Sequence, residues 1–267
     1  MRETLTRSLS GLVYILLLIG ATLYSIESFL LLFALFLIAS TLEFCDLVNL
    51  HKPLPIIIAI AGYAIFAYFN DFTPLDNLLL TLAALFVSAQ LLYLLFSNKR
   101  QQSDTQSKFV YLIGYIILPF IILAKIPFED RVFAPKILIG IFLIIWTNDT
   151  FAYIVGKLIG KTKLYEKISP KKTVEGFAGG LLFAMIISYF IAVYLVAQPI
   201  LTWIAISLIC SIFGTLGDLI ESKFKRIAGV KDSGKIMPGH GGILDRLDSV
   251  IFAAPFIFLF YQILNYA

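Results

Sequence analysis

Residues Ser28 to Phe44 read SFLLLFALFLIASTLEF, and the stretch carries no charge before Glu43. A helix rises about 1.5 Å per residue, so a bilayer core of about 30 Å takes roughly 20 predominantly apolar residues. A helix packed on a water-soluble core would need a polar face, and this one has none. The same pattern recurs along the chain. Of 267 residues, 60% are hydrophobic and 14% charged, with a mean hydropathy of +0.92, where a soluble domain averages about 25% charged. A soluble globule is excluded, and the small net charge of +4 gives no support to nucleic-acid binding. Cys45 and Cys210 each lie alone in an apolar run. They suggest neither a disulfide framework nor a zinc site and read as small buried hydrophobes.

A window of about 20 residues outlines nine candidate spans: Leu9 to Leu23, Ser28 to Phe44, Leu54 to Phe69, Asn77 to Phe96, Phe109 to Ala124, Ile137 to Ile159, Val174 to Ala197, Pro199 to Ile220 and Ile243 to Leu264. The fold class expected is all-α, a polytopic integral membrane protein with about nine transmembrane helices. The first span follows Arg2 and Arg7 without a small-x-small cleavage site and is expected to be a retained anchor. Counted segment by segment, 18 of the 21 basic residues fall on one side if the amino terminus is inside. The positive-inside rule then places the amino terminus in the cytoplasm and the carboxyl terminus outside, as expected of a multi-pass protein of the cell (inner) membrane.

The charges are unevenly spread: 20 of the 38 lie between Trp146 and Asp248. Residues 1–135 are therefore expected to be a transmembrane scaffold of about five helices. Residues 136–267 are expected to be the catalytic region, with about four helices and two cytoplasmic loops.

Three strings in that region carry chemistry. WTNDTFAY places Asp149 among apolar residues with Tyr153 four positions on, hence on one helix face. An intramembrane carboxylate costs about 2.5–3.5 kcal/mol and by default marks a site; the plainer reading is a hydrogen bond to a neighbouring helix. The loop that follows holds six lysines and the compact string SPKKTVEG, with Ser169, Lys171, Lys172 and Thr173 before a helix start. Lysine charges, hydroxyl donors and free helix N–H groups together suit an anion, although a basic loop attracted to anionic lipid would also hold lysines. The eighth span ends GTLGDLIESKFKR, where Asp218, Glu221, Ser222 and Lys225 share one face and Gly214 and Gly217 permit close approach of another backbone. A glycine-rich turn with His240 then opens into a helix bearing Asp245, Arg246 and Asp248. His240 is either a general acid or base or a brace for the turn.

Carboxylates alone would repel a phosphate. With a divalent cation between them they attract it, because Mg²⁺ takes one or two carboxylates and completes its shell with water and substrate phosphates. The pattern points to phosphoryl or nucleotidyl transfer at a membrane surface.

The string from Ser222 to Asp248, SKFKRIAGVKDSGKIMPGHGGILDRLD, resembles the signature of phosphatidate cytidylyltransferases, the CDP-diacylglycerol synthases. The resemblance extends upstream through GDLIES, SPKKTVEG and WTNDTFAY; the first five spans match only in hydrophobic character. It implies an enzyme that joins CTP to phosphatidic acid in the membrane, releasing pyrophosphate and leaving CDP-diacylglycerol for phospholipid synthesis. It further implies a divalent metal, Mg²⁺, at Asp218 and Asp245, to which the residue pattern itself adds Asp248 or Glu221 as supporting or alternating ligands. Lys225, Arg226 and His240 join those two aspartates as expected catalytic groups. Asp149, Ser169, Lys171, Lys172, Thr173, Ser222, Lys231, Asp232 and Arg246 are the expected substrate contacts. A monovalent cation and a homo-oligomer are left open.

Two other classes compete. A secondary transporter or ion channel could use Asp149 and Asp218 as a cation path, but the charges cluster on one side and no inverted repeat is visible. Transferases acting on CDP-alcohols or polyprenols would carry DGxxAR or DDxxD, and neither string occurs.

Overall fold

Helix boundaries follow from local capping chemistry. Ser25 and Ser28 form a reciprocal capping box at one helix start, Thr73 and Asp76 at another, and the side chains of Asp104 and Thr173 accept from Ser107 N and Gly176 N at two more. Each satisfies backbone donors that the first helical turn leaves without partners. The computed structural model describes residues 2–69, 73–97, 104–129 and 132–266. Among them the helical rods are α1 (Arg2–Tyr24), α2 (Ile26–Val48), α3 (Pro53–Tyr68), α4 (Pro74–Phe96), α5 (Thr105–Lys125), α6 (Pro135–Ile159), α7 (Val174–Val196), α8 (Ile200–Ile227) and α9 (Leu244–Tyr266).

The protein is a polytopic all-α membrane protein. Seven rods, α2 and α4 to α9, are long and apolar enough to cross a bilayer, whereas Leu9–Tyr24 and Pro53–Tyr68 are shorter apolar helices among the described residues. The nine segments expected from the sequence are thus all helical, with seven meeting the length of a full span. Large apolar side chains such as Leu9, Leu12, Leu16, Leu31 and Leu35 are exposed, as befits rods whose outer solvent is lipid.

Three rods contain a π-turn: Ala64–Tyr68 in α3, Leu112–Ile117 in α5 and Ile191–Val196 in α7. In α5 the wide turn directly precedes Leu118 and Pro119. Proline cannot donate the usual helical hydrogen bond, and the widened turn lets the rod continue past it.

Among the described residues, four short strands interrupt the helical plan. Phe128–Glu129 (β1) pairs with Val132–Phe133 (β2), and Lys163–Tyr165 (β3) pairs with Ser169–Thr173 (β4), both antiparallel. The second hairpin is where the sequence suggested an irregular loop. Its lysines hide the alternation that usually marks a strand, and it closes with Lys163 opposite Thr173 and Tyr165 opposite Ser169.

Aromatic stacking and small residues set the spacing of the last four rods. Phe151 of α6 stacks on Phe183 of α7 at 3.7 Å between ring centroids, and Phe213 of α8 on Phe256 of α9 at 3.6 Å. A Cβ at Gly217 of α8 would lie 2.6 Å from the Asp248 carbonyl oxygen of α9, so only glycine lets these backbones meet there. Their contact carries Asp218 alongside Asp248. Lys223 directs its ammonium onto the carbonyl oxygens of Leu94, Leu95 and Ser97. It thereby closes the carboxyl end of α4 with the charge that a helix C-terminus favours.

Candidate active site

The ends of α6, α8 and α9, the β3–β4 hairpin, the glycine-rich turn and part of α1 enclose one cavity of about 940 Å³. From α6 come Trp146, Asn148, Asp149 and Tyr153; from the hairpin side come Lys163, Lys171, Lys172 and Thr173. Helix α8 supplies Asp218 and Lys225, the turn supplies Asp232 and His240, and α9 supplies Asp245, Arg246 and Asp248.

Two lysines and three ion pairs organise the wall. Lys172 Nζ lies 2.8 Å from Asp218 Oδ2, with side chains 28% and 35% exposed. Ser222 Oγ donates to the other Asp218 oxygen at 3.2 Å. Deeper, Lys225 bridges Glu221 and Asp245, donating to Asp245 Oδ1 at 2.6 Å. Asp245 Oδ2 accepts from Ser233 N at 2.9 Å, Ser233 Oγ at 3.0 Å and Gly242 N at 2.7 Å. Its Oδ2 is fully engaged while, among the described residues, Oδ1 accepts only from Lys225, and its stabilisation rests on charge-assisted bonds, roughly twice as strong as neutral ones. Asn148 Nδ2 donates to Asp149 Oδ1 at 3.2 Å, and Ser249 N donates to Asp248 Oδ1 at 2.7 Å.

The hairpin meets the helix as the string SPKKTVEG suggests. Thr173 is the N-cap of α7, its Oγ1 accepting from Gly176 N at 3.1 Å. Glu175 in the first turn of α7 accepts from Lys161 N and Thr162 N at 3.1 Å. Lys163 Nζ donates to the Pro170 carbonyl at 2.7 Å. The hairpin is thus fastened at both ends, and Lys171 and Lys172 project from a fixed edge.

Not every residue singled out in the sequence reaches the cavity wall. Ser169 sits on β4 opposite Tyr165. Ser222 and Glu221 stand behind the wall, in contact with Asp218 and Lys225. Arg226 turns to the Val230 carbonyl at 3.2 Å, and Lys231 is exposed on the following turn. The structure also adds residues that motif reading passed over. Gly11, Tyr14 and Ile15 of α1 line the cavity, as do Lys157, Lys163, Phe177 and Thr215. Ser10 Oγ lies 2.7 Å from His240 Nδ1 and donates to the Pro238 carbonyl at 2.9 Å, so α1 braces the turn.

Among the described residues, no three Asp, Glu, His or Cys side chains converge as a ready-made metal cage. The donor chemistry nonetheless fits a hard cation that takes few protein ligands. Asp149, Asp218 and Asp248 face one cavity, and each carboxylate keeps lone pairs beyond the hydrogen bonds described for it.

The profile of the Cytidylyltransferase family matches residues 5–264. The chain belongs to this family. Within the cytidylyltransferases it is 48% identical over 147 residues to the phosphatidate cytidylyltransferase of Staphylococcus saprophyticus, covering 54% of this chain and 55% of that one. It is 54% identical over 118 residues to that of Staphylococcus aureus, covering 43% and 45%. With that of Bacillus subtilis it shares 53% over 119 residues, covering 43% and 44%. The chain spans about half the length of the relatives it matches. The resemblance carried by Ser222 to Asp248 is borne out at the level of the family, and from that string Lys225, Asp232, Asp245 and Asp248 line the cavity.

Proposed function

We propose that this chain transfers a cytidylyl group from CTP to phosphatidic acid, giving CDP-diacylglycerol and pyrophosphate. The observation that carries the reading is the pairing of Lys172 with Asp218 and Lys225 with Asp245 on one cavity wall, at the helix ends of an otherwise apolar bundle. Family membership and the activity for which the relatives are named support it.

In the reaction a phosphate oxygen of the lipid attacks the α-phosphorus of CTP. The bond from that phosphorus to the bridging oxygen of the β-phosphate breaks, and pyrophosphate leaves with its electron pair. Both partners are anions, so alignment and charge neutralisation account for most of the catalysis. Lys171 and Lys172, at the edge of the hairpin and beside the N-terminus of α7, supply cationic contacts to phosphate oxygens. Lys225 is held by two carboxylates and offers a fixed positive charge at the cavity floor. Asp149 and Tyr153 on α6 border the same space, with Arg246 across from them. A divalent cation such as Mg²⁺, when bound, would neutralise phosphate charge and polarise the reacting phosphoryl group. Asp218 and Asp248, with Asp149 beside them, are the residues open to hold it. The pair assigned by resemblance also includes Asp245, whose oxygens are taken by Lys225, Ser233 and Gly242. Ligation there would use Oδ1, which among the described residues accepts only from Lys225.

The reading includes an orientation, with the hairpin, the glycine-rich turn and the amino terminus on the cytoplasmic side, where CTP is found. The division of basic residues supports it. The test is an assay of the detergent-purified protein with CTP, phosphatidic acid and Mg²⁺, measuring both pyrophosphate and CDP-diacylglycerol. Equimolar, CTP-dependent formation of the two is expected. Folded protein that forms neither product overturns the proposal.

A further inference from the structure

Helix α2, far from the signature in sequence, sends one acidic side chain into the glycine-rich turn. Glu43 is 4% exposed. Its Oε1 accepts from Ile243 N at 3.0 Å, and its Oε2 from Leu244 N at 2.8 Å and Ser233 Oγ at 3.1 Å. A carboxylate buried this far survives only with such a full set of donors. The donors are informative. Gly242, Ile243 and Leu244 present three successive N–H groups at the start of α9, the first given to Asp245 Oδ2 and the next two to Glu43. Ser233 stands between the same two carboxylates, its N–H committed to Asp245 and its hydroxyl proton available to either. A Cβ at Gly234 or Gly242 would overlap the Glu43 carboxylate, so both ends of the turn are shaped around it.

We infer that Glu43 is a positioning residue for the reaction: by clamping Ser233 and the first turn of α9 it fixes the Asp245 carboxylate against Lys225. The inference rests on the cytidylyl-transfer reading for its kinetic consequence and on hydrogen bonds alone for its structural one. A misplacement on the order of 1 Å at reacting groups costs roughly 100-fold in rate, which is the scale expected here.

The experiment compares Glu43→Gln, Ser233→Ala, their double variant and Asp46→Asn in the full detergent-purified chain. Asp46 lies one turn further along α2, exposed and paired with Lys52 at 2.6 Å, and serves as the control. Two readouts are taken. Tryptic cleavage at Lys231 and Lys235, in the clamped turn, is expected to quicken about tenfold in Glu43→Gln and to stay unchanged in Asp46→Asn. Turnover is expected to fall roughly 10- to 100-fold in Glu43→Gln, with KM for CTP within about twofold, and the double variant is expected to be no slower than the slower single one. Wild-type cleavage and turnover in Glu43→Gln, or additive losses in the double variant, overturn the inference. Should Glu43→Gln fail to fold, Ser233→Ala decides: it leaves both Glu43 bonds to α9 in place, and wild-type turnover in it breaks the proposed link. If the wild type makes no CDP-diacylglycerol, the reading of function falls, and the cleavage readout still decides whether Glu43 holds the turn.

Discussion

Replacing Asp218 with asparagine separates the chemistry of the cavity from the stability of the bundle. The change is isosteric, removing one charge while keeping an oxygen to accept from Ser222, now 3.2 Å away. The lost ion pair with Lys172 spans 2.8 Å between side chains that are 28% and 35% exposed. At that exposure an ion pair is worth about 1 kcal/mol or less, a drop in Tm of roughly 2–4 °C on the scale of larger domains. The catalytic cost should be larger. If the carboxylate orients Lys172 and holds a cation that neutralises charge on the reacting phosphates, losing it should cost about 3–4 kcal/mol of transition-state stabilisation, roughly 100- to 1,000-fold in kcat/KM. The assay is steady-state formation of CDP-diacylglycerol at varied CTP, run beside thermal unfolding in the same detergent. A Tm near wild type with turnover reduced at least about 100-fold is the expected pair of results. A variant keeping more than about one third of wild-type kcat/KM would refute the argument, since an effect that small lies within an exposed ion pair.

Three further outcomes follow from the same geometry. Lys171→Ala and Lys172→Ala should each lower kcat/KM roughly 10- to 100-fold, whereas Lys161→Ala, exposed and outside the cavity wall, should stay within about twofold; equal small effects would favour general attraction to lipid. Turnover should vanish with a chelator and return with Mg²⁺, and Asp248→Asn should raise the cation concentration needed for half-activity about tenfold, as read by titration; activity persisting in chelator would remove the metal from the reading. Cysteines introduced at Glu166 and Lys235, in a background lacking Cys45 and Cys210, should resist an impermeant thiol reagent in intact cells and react after permeabilisation, and labelling from outside would reverse the orientation.

What the sequence discloses and what it hides divide along physical lines. Hydropathy is local, so all nine helical segments are visible as apolar runs, and Thr173 is visible as a cap because capping depends on neighbours three residues away. Asp149, Asp218, Asp245 and Asp248 stand out because charge in an apolar run is costly. The direction in which a side chain points is less legible. Arg226 and Lys231 belong to the signature string and lie outside the cavity wall, while Lys163, which has no place in it, lines the wall. The β3–β4 hairpin is hidden because its register is fixed by Glu175 and Thr173 rather than by alternating hydrophobicity. Least legible are the contacts that join the ends of the chain. Glu43 reads as an acid near a helix end, and nothing around it announces Ile243 and Leu244 as partners. Likewise Ser10 gives no sign of His240.

The distance between Glu43 and Ile243 along the chain, 200 residues, is also an interval of time. Ribosomes add about 5–20 residues per second, so the Glu43 carboxylate waits roughly 10–40 s between its own synthesis and that of its backbone donors. During that interval α2 is inserted with an acid whose partners do not yet exist, and the ordering of the turn waits for α9 to dock. A nascent chain therefore carries its lysines and aspartates unassembled until nearly the last helix is in place, and a chain that stalls in α8 is a bundle without an enclosed cavity.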